Sequence, residues 1–379
     1  MHILSDWKWT GPAEPTLNLC AALRTRGHHV LLACRASQSP GRQSLPQTAL
    51  DRGFAPIVSM RLEPSLKLKP FRRDVRELRH LVAEHRFDVL HLHHDHDTLI
   101  SYMALGGRGK RQVAVVRSHH SAAMPSRCRG WLYKHAVDGV VTVSQAQQNA
   151  LARHFPPEAL AQTFGVVDLE RFQPRPATER GRELLGVPPD AFVVGVVARV
   201  QRHRRFDLFL DAIKLAAARV PNLRGVVMGR GTHREEVAIQ PARRMGLAER
   251  VLFPGYIGGD DYVEALAAFD VKVFLVPGSD GSCRAAREFM AMGKPVVATR
   301  RHPLPEIVDH GATGLLVDES PAALADALVQ LARAPQLGQE MGQRARAKAE
   351  AEFCPERELA AVETVYDHVL KCKDVMRGP

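Results

Sequence analysis

The chain has 379 residues, 45% hydrophobic and 25% charged, too long for one ordinary core, so two domains of similar size are predicted. A net charge of +11 calls for anionic partners, but aromatics make up only 6% and do not interleave with the arginines, which argues against nucleic acid. The six cysteines lack paired spacing, and no membrane-length apolar run or signal-peptide pattern is read, so the expectation is a cytoplasmic protein with reduced thiols.

Taken in chain order, apolar runs at 2–4, 30–33, 89–92, 113–116 and 140–143 predict short buried strands. A helix over 15–26, ended by Gly27, lies between the first two. Strand alternating with helix predicts a parallel sheet covered on both faces. The pattern pauses over 155–188, rich in proline and charge, which is read as the link between domains. Strands at 192–197, 224–228, 251–253, 271–276 and 295–298 then follow, so the predicted fold class is α/β, with two doubly wound domains in tandem. A helix over 356–370 starts after Pro355. The expected division is 1–170, 171–355, and a C-terminal helical segment 356–379 packing back on the first domain. Basic stretches at 67–79 and 108–111 read as solvated faces or as surfaces for an anionic membrane.

Ligands of such sheets bind beyond the carboxyl ends of the strands, so the loops there are searched for chemistry. Gly11, in the turn before the first helix, allows close approach to the backbone, though a helix-initiating proline turn explains the same residues. The run His91-Leu92-His93-His94-Asp95-His96 has the HxHxDH spacing of metallo-β-lactamase-type zinc hydrolases. A zinc site of that kind needs downstream His and Asp ligands and a β-sandwich, whereas this chain alternates strand and helix, so a histidine-rich loop is the preferred reading. His119 and His120 end another strand, where an imidazole can meet a ligand or assist proton transfer. Arg199 and Arg204 follow strand 192–197, placed to neutralise a diphosphate. Gly229-Arg230-Gly231 lacks the third glycine of a dinucleotide fingerprint and reads as a tight turn. Asp280 and Glu288 stand eight positions apart, around a small-residue loop that enters a helix. The loop offers backbone N–H groups to an anion and the helix a carboxylate to hydroxyls, which suits the two ends of a sugar nucleotide.

Together these segments resemble the GT4 family of retaining glycosyltransferases, whose GT-B fold has two facing Rossmann-like domains with an interdomain cleft. WTGPAE looks like the family's N-terminal Gly-Gly loop with Pro12 for the second glycine, and VVRSHH resembles its Thr-x-His, with His120 at the histidine. FGVVDLERFQP is similar to its interdomain Asn-Gly-Val-Asp…Phe-x-Pro signature. ARVQRHRR resembles Gly-Arg-Leu…Lys-Gly, matching Arg199 to the arginine and Arg204 to the lysine. DGSCRAAREFMAMGKPVVAT resembles the E-x7-E element, and LPEIVDHGATGLLVD its continuation. Asp280 replaces the first glutamate, Ser282 and Cys283 replace Phe-Gly, and Arg205 replaces a glycine.

The resemblance implies that Glu288 binds the ribose hydroxyls and Asp280 meets the donor sugar near its reacting face. It implies that Arg199 and Arg204 hold the diphosphate, with backbone at Ser282, Cys283 and Arg284 completing the cradle. Gly11 would let the donor lie close, and His120 would sit near its sugar. The implied reaction moves a sugar from a nucleotide diphosphate to an acceptor hydroxyl with retention, without a metal or other cofactor. The expected partners are a nucleotide-sugar donor, a glycan or lipid-linked acceptor and, peripherally, the anionic inner face of a membrane, with no nucleic acid. A role in cell-envelope polysaccharide or lipopolysaccharide synthesis is the setting implied. The alternatives are a zinc-dependent hydrolase built on His91–His96 and a non-catalytic nucleotide-sugar-binding relative.

Overall fold

A computed structural model describes residues 1–9, 11–38, 44–63, 67–124, 126–278 and 281–377. Short, mostly apolar runs form strands that are largely buried, as parallel sheets covered by helices require. In the first sheet these are β1 (His2–Leu4), β2 (Leu32–Cys34), β3 (Val89–Leu92), β4 (Ala114–His119), β5 (Gly139–Thr142) and β6 (Leu160–Gln162). All pair in parallel, in the order β2-β1-β3-β4-β5-β6. The second sheet comprises β7 (Phe192–Val197), β8 (Leu223–Met228), β9 (Val251–Gly255), β10 (Val271–Phe274), β11 (Val296–Thr299) and β12 (Gly314–Val317). It too is parallel, in the order β12-β11-β10-β7-β8-β9. Two doubly wound α/β sheets are therefore observed, as the alternation predicts.

Differences from the sequence reading are local. Residues 155–188 are not merely a link, because they contain β6 and the helix Glu179–Leu185, whose first turn is capped by the Gly181 N–H bonding to Thr178 Oγ1 at 3.0 Å. Strand β4 runs on through His119, so that histidine belongs to the strand and not to the loop after it. Strand β12 was not read from the sequence at all; its four residues sit between a three-residue turn and an acidic loop.

The chain divides into two units. One holds Met1–Val166, Gly281 and Ser282, and Pro355 onward; the other holds Val167–Gly278 and Cys283–Cys354. The long helix Pro355–Arg377 is part of the first unit's core, where Val362, Val365 and Val369 pack with Leu4, Leu17 and Val141. Gly139 leaves room for it, since a Cβ there would lie 2.6 Å from Val365. A buried charge cluster pins its end. Asp138 pairs with Arg111 at 2.8 Å and with Lys373 at 3.2 Å, and accepts from the Val115 N–H at 2.8 Å. No helix among the described residues is long and apolar enough to cross a membrane.

Candidate functional site

In the second unit the carboxyl edge of the sheet is built around the loop after β7. That loop is held against the turn after β8 by the Ala198 N–H bonding to Met228 O and the Val200 N–H bonding to Arg230 O, at 3.1 and 3.0 Å. The approach is close enough that a Cβ on Gly229 or Gly231 would fall 2.0 Å from the Ala198 or Val200 carbonyl oxygen. Gly229-Arg230-Gly231 is thus a clamp that only glycine permits. Beyond it, Arg199 is exposed and makes no hydrogen bond or ion pair among the described residues. Arg204 folds back, donates from Nη1 to Val276 O at 2.8 Å and covers Gly278, while its Nε has no partner among the described residues. Burial pulls the Arg204 guanidinium below its ordinary value, and the nearby charge of Arg199 adds to the effect.

The helix Arg284–Ala291 follows, with Cys283 as its N-cap. Cys283 is left-handed at φ 49°, and so is Arg205 at φ 55°, which precedes the helix Phe206–Ala217. These are the two positions at which the resembled family carries glycine, and the backbone keeps the glycine conformation although the residues have changed. Glu288 lies on the second turn, 6% exposed; it accepts from Tyr262 Oη at 2.6 Å and faces Arg284 Nε at 3.6 Å. Lys272 of β10, which the sequence reading passed over, is fully buried on the same edge, between Glu288 and Arg204 in its electrostatic surroundings. The available signal was a lysine in the middle of an otherwise apolar strand.

The first unit carries a different constellation. His2, His91, His93 and His120 stack in a column, with ring centroids 4.8 Å apart from His2 to His91, 4.8 Å from His91 to His93 and 5.1 Å from His93 to His120. His2 Nδ1 lies 3.0 Å from His93 Nε2, and His93 Nδ1 lies 2.8 Å from His120 Nε2. Burial holds all four well below the usual imidazole value, and His119 at about 4. A neutral imidazole has one donor and one acceptor, so the string His2–His93–His120 donates all one way or all the other, and the three tautomers are coupled. His120 lines an open pocket with His93, Ser118, Thr142, Gly165 and Ser282.

The HxHxDH run is accounted for within this unit. His91 is engaged at both nitrogens, by Tyr366 Oη at 2.6 Å and Ser118 Oγ at 2.7 Å. Asp95 pairs with Arg129 at 2.7 Å and Arg117 at 3.4 Å. Among the described residues no group of three or more His, Cys, Asp or Glu is arranged to hold a metal. The zinc-hydrolase alternative therefore lacks its ligand set.

Of the residues singled out by sequence, Arg199, Arg204, Cys283, Arg284 and Glu288 fall in the second unit. His120 and Gly11 fall in the first, and Gly11 is exposed at φ 58° just before the helix Ala13–Thr25. Ser282 groups with the first unit and not with Cys283 and Arg284, and the Gly281 N–H before it donates to His120 O at 2.7 Å. Asp280 lies outside the described residues.

Residues 10–171 match the family model for Glycosyltransferase Family 4, and residues 191–334 that for Glycosyl transferases group 1. The chain is similar to a D-inositol 3-phosphate glycosyltransferase of Streptomyces scabiei, 30% identical over 61% of this chain and 54% of that one. It is also similar to the enzyme of the same name from Corynebacterium diphtheriae, 30% identical over 68% of this chain and 65% of that one. The chain spans about half the length of most of the curated relatives it matches. Among solved structures, Anabaena Alr3699/HepE in complex with UDP is similar over 97% of this chain and 99% of that one, at 20% identity and a TM-score of 0.78. A glycosyltransferase from Rickettsia africae is similar over 98% of both chains, at 14% identity and a TM-score of 0.79. With one of these models on each half of the chain and GT-B structures matching nearly its whole length, the protein belongs to glycosyltransferase family 4 and has the GT-B fold.

Proposed function

We propose that the protein is a retaining glycosyltransferase that moves a sugar from a nucleoside-diphosphate sugar to an acceptor hydroxyl. The observation that carries this reading is the convergence of Arg199, Arg204 and Glu288 on the carboxyl edge of the second sheet. Buried Glu288, oriented by Tyr262, suits the two hydroxyls of a ribose. Arg199, exposed, and Arg204, held by Val276 O, suit the diphosphate. The UDP in the complex of the similarly folded Anabaena protein supports a nucleoside diphosphate as the ligand class.

In the transfer, the bond from the anomeric carbon to the phosphate oxygen breaks and a bond to the acceptor oxygen forms. The acceptor's proton passes to the departing diphosphate. Negative charge grows on that leaving group, and preorganised guanidinium groups stabilise it where it develops. Arg199 and Arg204 supply that charge, so turnover is expected to survive chelation of divalent ions. Ser282, beside His120 in the first unit's pocket, and Asp280, together with His120 itself, are assigned to the transferred sugar, and Gly11 to its close approach. Cys283 and Arg284 present the start of their helix to the phosphates.

The acceptor is assigned to the first unit. The helix Leu68–His85 exposes Arg72, Arg73, Arg76 and Arg79 together with Leu68, a face suited to an anionic membrane surface bearing a lipid-linked or lipopolysaccharide-type acceptor. A thermal-shift screen of UDP-, GDP- and ADP-sugars tests the reading, since a bound ligand raises apparent stability. One donor class should raise the melting temperature and be consumed when an acceptor is supplied. Absence of binding by all three, or a Glu288→Ala variant that binds and turns over like the parent, rejects it. Binding without turnover against any acceptor identifies a non-catalytic relative instead.

A further inference from the structure

Lys272 stands at the middle of β10, a strand buried on both faces, and its side chain is 0% exposed. At its level the neighbouring strands present only Gly195 and Val296, neither of which offers a counter-charge. Its stem therefore runs up to the carboxyl edge of the sheet, where Nζ lies 3.4 Å from the carbonyl oxygen of Val197, the last residue of β7. Phe289 and Phe274 rings lie 5.4 and 5.6 Å from the same nitrogen. No carboxylate comes within ion-pair distance of it among the described residues. The charged groups that face it are Glu288, from the helix Arg284–Ala291, and Arg204, from the loop after β7. Lys272 and Arg204 line one cleft that opens to solvent, with Val197, Ala198 and Val276 completing the wall. Arg204 Nε, also on this edge, lacks a partner among the described residues.

A buried amine with one long hydrogen bond is costly as a cation and inexpensive as a neutral base. We infer that Lys272 is a second, concealed cation of the diphosphate site: its neutral amine takes a proton from solvent when a nucleoside diphosphate occupies the cleft beside Arg204, so donor binding is coupled to proton uptake. The –NH2 group becomes –NH3+ and no covalent bond to the ligand forms. Burial holds the Lys272 ammonium well below its ordinary value in the unliganded protein, and a phosphate oxygen nearby raises it again. Binding then weakens as pH rises through the value in the complex, because the empty site increasingly lacks the proton that the filled site needs. Arg199 and Arg204 carry their charge throughout this range and set the part of the affinity that does not depend on pH.

The inference rests on the donor reading above, and the experiment separates the two. UDP and GDP are titrated calorimetrically into the full chain at about pH 8, where the phosphate's own second ionisation, near 6, is complete. Two buffers of different protonation heat are used. A difference in observed heat that corresponds to proton uptake, absent in Lys272→Met, supports the inference. The methionine keeps the stem's length and volume, and it should weaken binding about tenfold, the loss of one charge-assisted contact. Equal heats in the two buffers, or undiminished uptake in Lys272→Met, overturn the inference and leave the donor reading standing. Failure of the wild type to bind either nucleotide overturns both. Should Lys272→Met not fold, affinity of the wild type from about pH 7 to about pH 9 decides: a steady fall supports the coupling, and a flat profile overturns it.

Discussion

The two units place basic side chains at the carboxyl edges of their sheets, and they treat charge in opposite ways. In the first, His2, His91, His93 and His120 are stacked, hydrogen-bonded to one another and to Tyr366, Ser118 and Thr16, and kept neutral by burial. In the second, Arg204 keeps its cation by its chemistry, and Lys272 is buried beside it, faced by Glu288 but in no ion pair among the described residues. A neutral string orients a ligand through donor and acceptor placement. A set of fixed cations attracts an anion whatever the pH. The two sheets thus hold basic side chains of opposite kind, a neutral hydrogen-bonded column in one and guanidinium groups in the other.

The strongest test of that division is Asp138→Ala. It leaves Arg111 and Lys373 buried without their shared carboxylate, and a loss of about 3–5 kcal/mol is expected. Trp7, Trp9 and Trp131, the chain's three tryptophans, all lie in the first unit, so denaturant unfolding followed by their fluorescence reports that unit alone. A loss seen equally by a second-unit probe shows that the units unfold as one.

Next in size is Arg204→Ala. Turnover should fall on the order of 10²–10³-fold, about 2.7–4 kcal/mol of leaving-group stabilisation, with the tryptophan-monitored curve unchanged. A shifted curve with intact turnover instead assigns Arg204 to packing.

Acid should act on the first unit. His2, His91, His93 and His120 have folded values below the unfolded 6.5, so under that pH the unfolded chain binds protons that the fold refuses. Stability is then full above pH 6.5 and is lost as pH falls, by about 1.4 kcal/mol per pH unit for each histidine still neutral. Tryptophan-monitored stability that is level from about pH 7 to about pH 5 contradicts a neutral column.

The smallest expected effect is a gain. Cys283→Gly relieves a left-handed non-glycine residue and should stabilise the second unit by about 1 kcal/mol, measured by calorimetric melting. No gain means that packing of the buried thiol compensates for the backbone.

Much of the scaffold was legible in the sequence because parallel strands buried on both faces leave continuous apolar runs. Those at 2–4, 89–92 and 192–197 have the observed limits. Leu160–Gln162 escaped notice because three residues inside a proline-rich stretch carry no periodicity of their own. The arginine loop and the helix bearing Glu288 were visible as local patterns at strand ends. The histidine column was not, because His2 meets His93 across 91 positions and His91 meets Tyr366 across 275. Lys272 was hidden for another reason: in a one-dimensional reading, one lysine among valines looks like a blemish in a strand, and only its full burial with a single long hydrogen bond gives it meaning.

The helix Pro355–Arg377 also has a consequence in time. During synthesis, residues 167–278 and 283–354 are complete before it exists, so the second unit can close on its own contacts first. The first unit, although its strands are made earliest, must hold an uncovered apolar face where Val362, Val365 and Val369 later pack. Its last contacts, such as His91 with Tyr366, carry a large loop-closure entropy. The half whose strands are made first is thus the half that can be completed only last.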